Sequence, residues 1–178
     1  MRRSPTVTVV PAVAFIVLLA AACSAGDPIT LELSSSAMES TMREDALITV
    51  DPNAYINAPI ERFDIILYRR IRPDGSLSEH LHRVLGLEGE EFEYDGFDNL
   101  VVSNELVEEP LTVQRPTNWI GQLTIPDDHV FVMGDNRPAS RHEDSRASGP
   151  VAHSDIVGKV VSFDSRDWVG RTGGSMSG

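Results

Sequence analysis

"IPDDHVFVMGDNRPASRHEDSRASGPV", residues Ile125 to Val151, is the stretch whose reading decides the fold. Its apolar heart, "HVFVM" (His129 to Met133), is short, rich in valine and aromatic character, and bounded by turn chemistry on both sides. Pro126-Asp127-Asp128 precedes it and Gly134-Asp135-Asn136 follows, so the pattern predicts a strand entered and left by tight turns. After the strand, Asp135, Asn136, Arg137 and Arg146 read as structural: a tight turn, then charge-assisted hydrogen bonds that fix the loop.

Outward from this stretch the same grammar repeats. "DALITVD" (Asp45 to Asp51), "RFDIILYR" (Arg62 to Arg69), "EHLHRVLGL" (Glu79 to Leu87), "EFEYD" (Glu91 to Asp95) and "DIVGKVVSF" (Asp155 to Phe163) all read as strands. Asp51-Pro52-Asn53, Pro73-Asp74-Gly75 and Asp95-Gly96 separate them as turns. No stretch after Cys23 sustains a helical period over three turns. The expected fold is mainly β: an antiparallel coiled sheet or barrel-like domain over residues 31–170, preceded by a linker at 24–30. The tail "RTGGSMSG", residues 171–178, reads as disordered.

The first 23 residues are of another kind. Arg2 and Arg3 precede the apolar run "VTVVPAVAFIVLLAAAC", and no further charge occurs before Asp27. This fits a signal peptide with its basic start, apolar middle and small-residue end, or a membrane anchor of marginal length. Cys23 directly after "LLAAA" resembles a bacterial lipobox. Either reading leaves the basic end inside and puts the domain on the extracytoplasmic side, attached to the membrane. A single cysteine excludes an internal disulfide and a cysteine-based zinc cluster. With 27 acidic against 15 basic residues, the net charge of −12 makes nucleic acid a poor partner.

Three segments, in order, resemble the type I signal peptidases, membrane-bound serine proteases that remove secretory leader peptides. They are "SSAMESTM…DALITVD", "RFDIILYR…EHLHRVLGLEGEEFEY", and the opening stretch with its G-D-N-R…S…D-S-R signature. The resemblance runs from about Leu31 to Val161. It implies a signal-peptidase-type catalytic domain with an N-terminal membrane segment, acting on secretory preproteins, with no cofactor and no metal.

Carried over position by position, the resemblance places the nucleophilic serine at Ala37, directly before Met38. An alanine methyl group has no proton to lose and no lone pair with which to attack a carbonyl. Ser36 and Ser40 are not expected to replace it, because neighbouring residues on an extended chain face opposite ways. Ser34, Ser36 and Ser40 read instead as a polar turn whose hydroxyls bond to nearby backbone. Ser35 matches the family's oxyanion-stabilising serine, acting together with the Ala37 amide.

The base position, a lysine in most bacterial members, is His82, which needs little tuning to accept a proton near neutrality. Asp144 or Ser140 matches the group that orients the base; two extra residues between them leave open which one reaches it. His142, Glu143 and Asp144 are adjacent loop residues and read as solvent-facing rather than as metal ligands. Glu44 and Phe63 replace glycines of the family pattern, and Glu88 replaces a proline. Two functions follow. One is a divergent signal peptidase I-like serine endopeptidase, expected to be inactive as written because Ala37 lacks the nucleophile. The other is a non-catalytic pseudoprotease that binds extended peptides.

Overall fold

The computed structural model describes residues 26–39, 41–95, 97, 99–109 and 120–164. The lipobox-like segment, Cys23 and the 171–178 tail lie outside the described residues. Among the described residues eleven strands run in chain order. They are β1 (Ile29–Glu32), β2 (Leu47–Asp51), β3 (Ile65–Ile71), β4 (Leu77–Gly86), β5 (Glu91–Tyr94) and β6 (Leu100–Val102). β7 (Glu105–Val107), β8 (Ile120–Thr124), β9 (His129–Met133), β10 (Val151–Ala152) and β11 (Ile156–Phe163) complete the set. Among the described residues, helix occurs at α1 (Arg137–Ser140), α2 (Ser145–Ser148) and the 3₁₀ turns Ser36–Met38 and His153–Asp155.

The strands form two open sheets, ordered β1-β2-β11-β3-β4-β9-β10 and β7-β6-β5-β8. All pairings are antiparallel. The expectation of a barrel-like closure is corrected here: the edge strands do not pair with one another, so neither sheet closes. β1 also begins at Ile29, inside the stretch read as linker, because Ile29 and Leu31 pair with Val50 and Ile48 of β2.

The central hairpin positions the chemistry. β3 and β4 pair in continuous register, with Ile66 opposite His82 and Tyr68 opposite His80. Side chains alternate across a sheet, so Ile66, Tyr68, His82 and Val84 share one face while Leu67 and Leu81 point to the other. Both faces are covered, which is why β4 is buried without interruption from Leu81 to Gly86. Ile66, Tyr68 and Val84 pack with Val130, Val132 and Val151. Leu67 and Leu81 pack with Met38, Met42, Ile48 and Val50, and so seat the 3₁₀ turn on the sheet.

A third cluster joins the two sheets around Leu85, Phe92, Tyr94 and Phe131, with the Phe92 and Phe131 rings 4.3 Å apart. Gly86 lies where these pieces meet, and a Cβ there would stand 2.3 Å from Ile125 Cδ1. Only glycine fits that approach. The pairing of β4 with β9 slips a register between Val84 and Gly86, which moves Leu85 into this cluster.

Candidate active site

The site starts at the 3₁₀ turn Ser36–Met38. Its N-cap is Ser35, whose Oγ accepts the Ala37 amide at 3.1 Å. The backbone-capping role expected of Ser34, Ser36 and Ser40 is thus filled by Ser35, and Ser40 lies outside the described residues. The loop after β9 clamps this turn. Asn136 donates its amide to the Ala37 carbonyl at 2.9 Å and its Nδ2 to the Ser36 carbonyl at 3.0 Å. Gly134 allows the approach: a Cβ there would lie 2.5 Å from the Ala37 oxygen and 2.4 Å from Ser140 Cβ. The "GDNR" loop and the "SSAM" turn are therefore one packed unit, although about 100 residues separate them.

His82, on β4, is 1% exposed. Its Nδ1 is hydrogen-bonded to the Tyr68 hydroxyl at 2.8 Å, and that hydroxyl also reaches the Glu143 carbonyl at 3.4 Å. The Tyr68 and His80 rings stack at 5.5 Å, and the His80 and His82 rings at 6.1 Å. Burial lowers the His82 pKa to about 4, with the Asp144 carboxylate pulling the other way. His82 is therefore neutral near pH 7. Burial pushes the Tyr68 phenol up, so its hydroxyl keeps its proton.

Asp144 and Ser140 are fully buried, and both meet Arg146. Arg146 Nη2 donates to Asp144 Oδ2 at 2.7 Å and to Ser140 Oγ at 3.0 Å, and its Nε donates to Asp144 Oδ1 at 3.0 Å. Asp144 also caps α2 by accepting the Arg146 amide. The side chain hydrogen-bonded to His82 is thus Tyr68, which the sequence reading did not single out. Asp144 acts on the imidazole through its charge.

Other signature residues brace the site. Arg83 donates to both oxygens of Asp135, at 2.9 and 2.6 Å, and Thr41 donates to the same carboxylate. Arg137, 1% exposed, binds the Gly134 carbonyl, the Tyr94 hydroxyl and Glu109. Of the loop residues His142, Glu143 and Asp144, Asp144 is engaged by Arg146, while Glu143 lies 3.9 Å from His80.

Ala37, Ser35, His80 and His82 line one cleft of about 240 Å³, with Leu33, Ile48, Leu67 and Leu81 as its apolar wall. Glu32 and Glu143 give it an acidic rim, and Glu79 beside them is ion-paired with Arg69 at 3.0 Å. The turn and the histidine that the sequence reading singled out line this one cleft. What that reading lacked was the hairpin register, which sets Tyr68 two residue pairs from His82 on the same face.

A buried histidine and a capped turn thus face one apolar cleft. The model of the family described as signal peptidase, peptidase S26, matches residues 4–168, and the chain belongs to that family. It is 31% identical over 153 residues to signal peptidase I of Bacillus caldolyticus, covering 76% of this chain and 77% of that one. Signal peptidase I of Bacillus amyloliquefaciens is 30% identical over 148 residues, covering 76% and 74%. Among solved structures, signal peptidase I from Enterococcus faecalis is similar at 28% identity and a TM-score of 0.47, covering 57% of this chain and 97% of that one.

Proposed function

We propose that this chain is a divergent signal-peptidase-type protein whose cleft takes extended secretory leader peptides, and that as written it holds them without cutting. Ala37 carries this reading: it occupies the family's nucleophile position and lines the same cleft as His82. Covalent catalysis requires an activated nucleophile, and a methyl group supplies none. The N-terminal segment, with its two arginines and apolar run, attaches the domain to the outer face of the membrane.

The rest of the apparatus supports a site that needs a single oxygen atom to work. When the Tyr68 hydroxyl donates to the Glu143 carbonyl, it accepts Nδ1–H from His82, and Nε2 keeps its lone pair. A serine at position 37 would attack the peptide carbonyl and pass its proton to that nitrogen. The Ser35 hydroxyl would stabilise the resulting oxyanion. Its oxygen already accepts the Ala37 amide, so its own proton remains available for the cleft. Arg146 holds Asp144 and Ser140 in place behind the histidine.

The experiment is cleavage and binding of a leader-peptide substrate in detergent by three forms: the chain itself, Ala37→Ser, and Ala37→Ser with His82→Ala. The expected outcome is binding by all three and cleavage by Ala37→Ser alone. In a serine protease the loss of the nucleophile costs about 10⁶ in turnover, so the contrast is all-or-none on an ordinary assay scale. Cleavage by the unaltered chain would overturn the assignment of position 37. Failure of all three to bind peptide would overturn the peptide-holding function.

A further inference from the structure

We propose that Glu88, Asp128 and His153 form a site for one divalent transition-metal ion of the zinc type. The site shares no residue with the cleft at Ala37. One donor atom from each side chain falls within 4.8 Å of the others. The three come from separate segments: the turn after β4, the turn before β9, and the 3₁₀ turn His153–Asp155.

Two hydrogen bonds, one to the Glu88 carboxylate and one between backbone groups, tie those segments together before any ion arrives. The Asp128 amide donates to Glu88 Oε2 at 2.8 Å, and the His153 amide donates to the Asp128 carbonyl at 2.8 Å. The pairing of Ala152 with His129 on β10 and β9 fixes the same junction.

A second observation points to a ligand. The His153 ring is half-buried, and its Nε2 atom is shielded from solvent with no hydrogen-bond partner among the described residues. A polar atom removed from water without a partner is costly, and a metal bond would restore what it has lost. The donor chemistry selects the ion. Calcium and magnesium favour all-oxygen sites, whereas one imidazole with two carboxylates suits zinc, and the two negative charges match its own. Zinc bonds of about 2.0–2.2 Å require the donors to close slightly, and the exposed Glu88 and Asp128 side chains have room to do so.

Three protein ligands leave the fourth tetrahedral position open. Glu88 and His153 also line a cavity of about 650 Å³, with Tyr55, Ile60, Leu87 and Ile156 among its walls. Glu88 stands where the family pattern has a proline, which makes this a property of the chain rather than of the pattern. Bound zinc would pin the β4–β5 turn to the β9–β10 junction.

The test is titration of zinc into the full-length, metal-free and untagged protein in detergent, near neutral pH, followed by calorimetry. One saturable site in the micromolar range is expected, with a melting temperature that rises with zinc. Glu88→Gln and His153→Ala should each weaken binding by about 100-fold, the upper end of what even outer-shell changes produce. His142→Ala, an exposed histidine on another loop, should leave it unchanged. As a readout independent of stability, cobalt(II) should give a visible absorption band that His153→Gln abolishes and Glu88→Gln alters. Absence of saturable binding at millimolar zinc, or binding that survives both Glu88→Gln and His153→Ala, would overturn the proposal.

Discussion

At the scale of single residues, His82 is governed by where it sits. Its folded pKa of about 4 lies well below the ordinary 6.5, because the charged imidazolium is excluded from a buried face. Between those two values the unfolded chain binds a proton that the folded chain refuses, so stability falls as the pH drops from about 6.5 to about 4. Below that range this group adds no further loss. The contribution is at most about 3 kcal/mol. His80 is lowered in the same direction by its own burial. Urea unfolding of the chain and of His82→Gln at neutral pH and near pH 4.5 isolates the share of His82. The pH-dependent loss should be smaller in the variant, and an equal loss in both would assign the effect elsewhere. What the sequence offered here was single residues: Ala37, Ser35 and His82, singled out by motif, line one cleft. Their partners were not legible, because a motif gives order along the chain and not which donor wins a given acceptor. Arg146 takes Asp144 and Ser140, while Tyr68 reaches His82 across the hairpin. Backbone strain was half-legible: Phe63 adopts φ +74°, as a residue replacing glycine can be forced to do. Beside Glu44, the left-handed conformation falls on Asp45 instead, at φ +76°.

At the scale of elements, strands with clean alternation or a dense apolar run were readable, and those lacking either were missed. β6 and β7 are three residues each and are joined by Ser103 and Asn104, with φ +50° and +66°. Two consecutive left-handed residues make the tight hairpin turn usually signalled by Asn-Gly, and without glycine the signal is faint. The second sheet nevertheless matters to the site. Tyr94 of β5 and Glu109, just beyond β7, together hold Arg137, the first residue of the helix after the "GDNR" turn. The Arg137 and Glu109 side chains are only 1% and 10% exposed. Removing one partner of a buried pair leaves an uncompensated charge, so Glu109→Ala should destabilise the fold by about 3 kcal/mol. Tyr94→Phe, which deletes one hydroxyl from the same group, should cost nearer 1 kcal/mol. Chemical denaturation of the two variants checks the order. If Glu109→Ala costs no more than Tyr94→Phe, the second sheet does not hold the loop through this pair.

At the scale of the whole molecule, composition gave the class but not the closure. Alternating strands and turns predict an antiparallel β protein. Whether the edges meet depends on twist and on bulges such as those in β4 and β11, which no local pattern encodes. Charge, by contrast, is a whole-chain property that the sequence states outright: −12, with Glu32 and Glu143 placed at the cleft itself. Like charges around an apolar groove focus the field outward and attract a basic ligand before contact. Leader peptides begin with a positively charged segment ahead of their apolar run. If such peptides are the ligands, their capture should be electrostatically steered, and steering is screened over a Debye length of about 10 Å at 0.1 M salt and about 3 Å at 1 M. The association rate of a leader peptide with an intact basic start should therefore fall about 10-fold between low and high salt. A peptide with that start made neutral should bind more slowly at low salt and change little. Stopped-flow fluorescence with the two peptides measures both limbs. Equal salt dependence would mean that the acidic rim does not select the ligand, and that the apolar wall of Leu33, Ile48, Leu67 and Leu81 carries recognition alone.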